Sequence, residues 1–231
     1  MTKNIVLLAS LDTKAPEPAF LRDCITEAGH HCVVLDIGYG RSAGIESDIP
    51  AEEVAAAAGT DIDTIRAMQD TGAASNLVMQ GAIIRVHALL RDGRCDGVLG
   101  FGGASNTTLA SGVMQAIPVG IPKLLISSSA AMPAYAAKYY GAKDITIMNA
   151  IVDISGINTI TKSLLRRGAG AICGMAESSR GEVRSLTGKK LVAVSGFRFA
   201  EECSQAVMRE LERRDYSPIP FHAQGVGENA M

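Results

Sequence analysis

The stretch Val98-Leu99-Gly100-Phe101-Gly102-Gly103-Ala104-Ser105-Asn106-Thr107-Thr108 decides the fold. Its apolar opening reads as a strand, its glycines as a turn and its small polar close as the start of a helix. A strand that passes straight into a helix in this way is one β-α unit of a parallel sheet. The same stretch carries the strongest chemical signal. Small residues let the backbone come close to an anion, and the free N–H groups and partial positive charge of a helix start favour phosphate there. Gly102, Gly103, Ala104, Ser105, Asn106 and Thr107 are therefore candidate phosphate contacts, the alternative being a tight structural turn. No Lys follows a Gly at the Walker position. Ser105 stands where a dinucleotide fingerprint has its third Gly, and no acidic residue follows the next strand, so neither motif applies.

The β-α rhythm continues outward in both directions. Strands are expected at about 4–9, 31–36, 95–100, 122–127 and 144–148. Their unbroken apolarity, as in Ile5-Val6-Leu7-Leu8-Ala9, suits strands covered on both faces, so the expectation is a Rossmann-like, doubly wound α/β fold. Pro16 and Pro18 suit the first turn of a helix whose Phe20, Leu21, Cys24 and Ile25 share one face and which Gly29 ends. A second helix is expected from about Ala73 to Arg91, with Leu77, Ile84 and Leu90 among its apolar positions and Gly93 as its stop. Between them, the run from Asp48 reads as a capped short helix ended by Gly59, and Asp61 to Gln69 as another. After Asp153 and Asn158 comes a helix to about Arg167, then the small-residue run Gly168 to Gly174, then a charged, Gly-containing linker from Glu177 to Lys190.

Beyond the linker, Leu191 to Ser195, a helix at about 200–213 and Ser217 to Phe221 make one more β-α-β unit. Such a unit buries too little surface to stand alone. The expected division is a Rossmann-like nucleotide-binding domain at 1–185 and the incomplete start of a second Rossmann-like domain at 186–231. The second part extends the first sheet, begins a further domain or pairs with another protomer; its open strand edge favours a homodimer.

Composition narrows the function. The chain has 231 residues, of which 47% are apolar but only 4% aromatic, so the core must be built from Ala, Val, Ile, Leu and Met. A net charge of -2 without a long basic run gives no general grip on nucleic acid or acidic membrane and leaves a small ligand as the default partner. Five scattered cysteines without a Cys-x-x-Cys pair read as reduced structural thiols. The apolar run Ile5 to Ala9 is too short for a signal segment, and no segment is expected to reach membrane-spanning length, which points to a soluble cytoplasmic protein.

If the strands lie in the order 2-1-3-4-5, the loops after the first and third flank the switch point at which ligands bind. Ser10-Leu11-Asp12-Thr13-Lys14 then offers Lys14 for phosphate charge and Asp12 for Mg²⁺ or a sugar hydroxyl. The plainer alternative makes Asp12 a helix cap and leaves Lys14 solvated. Ser127, Ser128 and Ser129 put three hydroxyls on the same sheet edge, although Ser-rich turns are commonly no more than turns. Asp36, Gly38, Asp153 and Asn158 complete a ring of polar loops. Of His30, His31, His87 and His222, none lies in a Ser-His-Asp or Cys-His setting; His222, after a strand and before Gly225 and Gly227, has the best claim to chemistry.

Leu11 to Lys14, Asp36-Ile37-Gly38, Asp48 to Gly59, Gly100 to Thr107, Gly120 to Ser127, Asp153 to Asn158 and Phe221 to Met231 carry a resemblance over essentially the whole chain. The chain resembles the uncharacterised bacterial, fungal and plant family that includes the ATP-binding domain of the tomato mosaic virus resistance protein. That resemblance implies two Rossmann-like domains with ATP at the first. It marks Asp12, Thr13, Lys14, Gly102, Gly103, Ser105, Thr107 and Ser127 as nucleotide contacts, with Ser128 beside them. The family's Gly-Gly-Ser-Gly-Gly-Thr turn is Gly102-Gly103-Ala104-Ser105-Asn106-Thr107 here, two glycines fewer. The expected function is ATP or nucleotide binding that regulates a protein surface, with slow or no hydrolysis and Mg²⁺ as a candidate companion. The alternative is an enzyme using ATP or a small acid for phosphoryl or acyl transfer, and a third reading is a purely structural interaction protein.

Overall fold

Five apolar runs form one parallel sheet: β1 (Asn4–Ala9), β2 (His31–Asp36), β3 (Gly97–Gly102), β4 (Lys123–Ser127) and β5 (Thr146–Asn149). In this computed structural model, which describes residues 1–13, 16–40, 46–179, 190–223 and 225, their order is β2-β1-β3-β4-β5. The order turns at β1 and β3, whose parallel register pairs Ile5 with Gly97 and Leu8 with Gly100. Every residue of β3 and β4 is buried, as the unbroken apolar runs anticipate.

Helices cover both faces. On one lie α1 (Pro16–Glu27) and α7 (Thr159–Ser178), with Leu21, Ile25, Leu165 and Ile172 packed on Ile5, Leu7, Leu99 and Phe101. On the other are α2 (Ala51–Ala57), α3 (Ile62–Ala67), α4 (Thr71–Arg91) and α5 (Ala104–Ala116), packed on Val6, Leu8, Val98 and Leu125. A short helix, α6 (Pro133–Tyr140), precedes β5 and has no counterpart in the sequence reading.

Three expectations need correction. The buried face of α4 runs through Ala74, Val78, Gly81, Ala82, Val86 and Leu89, while Ile84 is exposed. A Cβ on Gly81 would collide with the Val54 carbonyl, so α4 meets α2 through its smallest residues. Helix α7 continues through the small-residue run instead of stopping near Arg167, because Gly168 lets it press against Ile126 of the sheet. Asp48 does not cap α2: its carboxylate accepts the Val34 amide at 2.7 Å, and Pro50 sits at the helix start. In addition, α4 does reach the length and apolarity of a membrane span, although it packs on α2 and α5.

The contacts divide the chain into a unit of Met1–Tyr140 with Asp144–Arg180 and a second of Gly141–Lys143 with Gly181–Met231. The expected boundary at 185 and 186 lies outside the described residues. In the second unit β6 (Lys190–Gly196), α8 (Glu201–Arg213) and β7 (Tyr216–His222) form a two-stranded parallel sheet with one crossover helix. None of these three elements has a fully buried residue.

Candidate functional site

Where β3 ends, Gly102 takes φ of 141°, a conformation open to glycine, and a Cβ there would overlap the side chain of Asn106. Gly103 is the N-cap of α5 and supplies no side chain. The first helical hydrogen bond runs from the Thr107 amide to the Gly103 carbonyl at 2.9 Å. The amides of Ala104, Ser105 and Asn106 have no acceptor among the described residues. By contrast, Asp61, Asp70 and Asn158 cap α3, α4 and α7 with their side chains. The free amides of α5 open on a cleft of about 900 Å³ at the carboxyl edge of β1 and β3, where the switch-point rule expects a ligand.

Gly103, Ala104, Ser105 and Asn106 line this cleft, together with Ser10, Asp12 and Thr13. The Ser10 hydroxyl donates to Asn106 Oδ1 at 2.7 Å, leaving Asn106 Nδ2 without an acceptor among the described residues. Thr107 and Ser127 are fully buried, and their hydroxyls meet each other at 2.7 Å, with Ser129 joining at 3.2 Å from Ser127. Ser127 Oγ also accepts the Ser129 and Ala130 amides. These hydroxyls fasten the start of α5 to the end of β4 and do not reach the cleft. Ser128 is half-buried, its amide donating to the Gly102 carbonyl at 3.1 Å and its hydroxyl near Gly103. Lys14 lies outside the described residues.

Asp12 is held in a way the sequence did not disclose. Its Oδ2 accepts the Gly40 amide at 2.7 Å, and its Oδ1 is buried without a partner among the described residues. A Cβ on Gly38 or Gly40 would come within 2.8 or 2.6 Å of that carboxylate, so Gly38-Tyr39-Gly40 wraps it closely. Arg66 pins the wrap by donating to the carbonyls of Tyr39 and Gly40. Beneath it, Asp36 Oδ1 accepts the amides of Leu11 and Gly38 at 3.1 and 2.8 Å. Burial pushes the Asp36 carboxyl above its ordinary range, against the pull of those amides, and nearby Asp12 acts in the same direction as burial.

The opposite wall is the first two turns of α4, with Thr71, Ser75 and Asn76, and Tyr39 and Lys138 also border the cleft. Sequence reasoning missed this wall. Thr71 and Ser75, four apart, share a side of α4 and Asn76 adjoins Ser75, but nothing local says which sheet edge they reach. Asp153 lines the cleft from the loop after β5. Asn158 instead caps α7 in a capping box with Thr161, and the backbone of Ile151 is left-handed in the same loop. His87 bonds the Ala116 carbonyl at 3.2 Å, His30 bonds the Lys3 amide and Glu177, and His222 stacks edge-on against Phe197. No group of three or more His, Cys, Asp or Glu side chains is placed to hold a metal among the described residues.

Residues 3–181 match the model described as the Uncharacterised protein family (UPF0261) N-terminal domain, and residues 189–231 match that of its C-terminal domain. A UPF0261 protein of Clostridium tetani is 34% identical over 232 residues, covering 100% of this chain and 56% of that protein. A second, from Rhizobium meliloti, is 30% identical over 229 residues, covering 99% and 55%. This chain thus spans about half the length of the curated relatives it matches. The ToMV resistance protein Tm-1(GCR237) of Solanum lycopersicum is 37% identical over 139 residues, which is 58% of this chain and 18% of that protein. Among solved structures, Drosophila melanogaster DJ-1beta matches 92% of this chain and 98% of its own at 14% identity and a TM-score of 0.35.

Proposed function

We propose that this chain, which belongs to the uncharacterised protein family UPF0261, holds the phosphates of a nucleotide, ATP by preference, at the start of α5. The observation that carries the reading is the uncapped N-terminus of α5, whose Ala104, Ser105 and Asn106 amides face a roomy cleft with no acceptor of the protein's own among the described residues. Three converging amides and a helix dipole are a ready-made phosphate site. Asn106 Nδ2 and the Ser105 hydroxyl add donors, and Lys138 brings positive charge to the lining of the same cleft. A cleft of about 900 Å³ suits a molecule of nucleotide size.

The cleft is chemically lopsided, which orients the ligand. At α4 the Asp70 carboxylate already takes the amides of Gly72 and Ala73 at 2.9 and 3.0 Å, so that end repels an anion. The phosphates therefore go to α5, and the sugar and base turn toward Thr71, Ser75, Asn76 and the ring of Tyr39. Mg²⁺ keeps most of its water and takes one or two carboxylates plus phosphate oxygens. Asp153, exposed on the wall, fits that role better than Asp12, whose carboxylate is enclosed by the Gly38 to Gly40 turn. The ion would neutralise phosphate charge.

The described site contains carboxylates but no His or Cys on the cleft wall, which favours binding that regulates a protein surface over turnover. An enzyme of phosphoryl or acyl transfer is the second reading, favoured by the carboxylates Asp12 and Asp153 beside the phosphate end. Titration calorimetry with ATP, ADP and NAD, with and without Mg²⁺, tests both. The expectation is ATP binding that Gly103→Val weakens at least tenfold. Binding of NAD and not ATP, or an unchanged affinity in Gly103→Val, overturns the first reading, and rapid ATP consumption selects the second.

A further inference from the structure

Glu17 is the one residue of α1 whose placement the packing of an amphipathic helix does not explain. It is a carboxylate at 1% exposure in the first turn, between Pro16 and Pro18, which have no N–H to offer it. It reaches instead across 139 residues of sequence, its Oε1 accepting the Gly156 amide at 2.7 Å. Its Oε2 is buried with no partner among the described residues. A buried carboxylate with one oxygen unpaired costs stability, so some other requirement keeps it there.

The Gly156 peptide is gripped from both sides. Its carbonyl accepts the hydroxyl of Thr161, a side chain with no exposure, at 3.0 Å. Its φ of 77° is left-handed, and a Cβ there would touch nothing, so backbone conformation and not space sets this glycine. Three residues earlier in the same loop stands Asp153, on the cleft wall; immediately before α1 runs the segment that brings Asp12 and Thr13 to it. Glu17 thus joins the loop after β1 to the loop after β5, two parts of the wall that meet nowhere else through a side chain to backbone bond among the described residues.

We infer that Glu17 is a positioning residue: by clamping the Gly156 amide it fixes the 153–157 turn and so sets where Asp153 stands relative to the bound phosphates. The inference rests on the proposed nucleotide site. Glutamine at this position keeps an acceptor for the Gly156 amide and removes the unpaired charge, whereas alanine removes the clamp.

The experiment is calorimetric titration of the full chain and its E17A and E17Q variants with ATP and Mg²⁺, alongside amide hydrogen exchange over 151–158. Without the clamp, binding must itself re-order the turn, and a penalty worth one hydrogen bond corresponds to roughly tenfold in affinity. E17A is expected to bind about tenfold more weakly and to exchange faster across 151–158, while E17Q binds as the parent does. Parent-like binding by E17A, or E17Q as weak as E17A, overturns the inference. Should the parent bind no nucleotide, the functional reading fails by itself; exchange then judges the clamp, and unchanged protection in E17A sinks it.

Discussion

The two units of this chain are built from the same β-α-β pattern and differ in what covers it. In the first, β3 and β4 are buried along their whole length between two helical layers, and a single added Cβ on Gly81 or Gly168 would strike backbone or side chain. In the second, β6 and β7 expose Leu191 and Ile219, and α8 is strongly amphipathic yet has no buried residue. The pattern therefore sets local structure in both, but among the described residues only the first unit shows it converted into a core. A Rossmann-type half takes its stability from layers on both faces, and a lone crossover has too few of them.

Substitution can break this comparison, and the largest effect belongs where packing is closest. Gly81→Ala is expected to cost about 3 kcal/mol, by forcing α4 away from α2, in a chemical denaturation experiment. A loss below about 1 kcal/mol would mean that the first unit is as loosely packed as the second. Next in size, Asp70→Ala removes the cap of α4 and should cost about 1 kcal/mol. Its effect on ATP affinity should be small or favourable, since it removes an anion next to the cleft-lining Thr71 and Gly72; a strong loss of affinity would break the assignment of the phosphates to α5.

Leu191→Ser in the second unit should change stability by less than about 0.5 kcal/mol, because its side chain is half exposed already. A loss as large as that of Gly81→Ala, together with a concentration-dependent melting temperature, would show the exposed face to be covered by another copy or another protein. The smallest effects are titrations. The folded Asp36 carboxyl is raised, so its favourable contribution is present below the unfolded value and lost as pH rises through the folded one. Asp36→Asn should therefore gain on the parent as pH climbs through the carboxylate range, and a constant gap would refute the burial argument. Burial likewise pushes the Cys32 thiol up to about 12 and the Cys173 thiol to about 11. Iodoacetamide should thus label exposed Cys203 first and reach the other two only after unfolding, as mass spectrometry would read out.

The strands were legible because a strand buried on both faces must be apolar at every position, as Ile5 to Ala9 is. The Gly-rich turn after β3 followed from the same β-α rhythm, whereas the strand order entered only as a condition, which the sheet meets. What escaped depended on small residues or on distant partners. The buried side of α4 was not legible because its closest approach is marked by Gly81 and Ala82 and not by large apolar residues such as Ile84. The end of α7 was misjudged for the same reason at Gly168. At the site, the free amides of α5 were foreseeable from Gly102 and Gly103 alone. The burial of Thr107 and Ser127, the wrapping of Asp12 by Gly38 to Gly40, and the α4 wall were not, since each depends on which strand ends lie side by side.

That arrangement also sets an order of events during synthesis. The Asn4 amide is held by the Asp96 carboxylate at 2.8 Å, 92 residues away, and β1 cannot be flanked on both sides until β3 exists. Closing so long a loop is entropically slow, and the partner strand emerges late. A nascent chain leaving the ribosome must hold its most apolar strand half-covered by β2 and α1 until well over a third of the sequence has been made. Variants that weaken that early parallel β1-α1-β2 unit should therefore be lost to aggregation in cells before any defect appears in the purified protein.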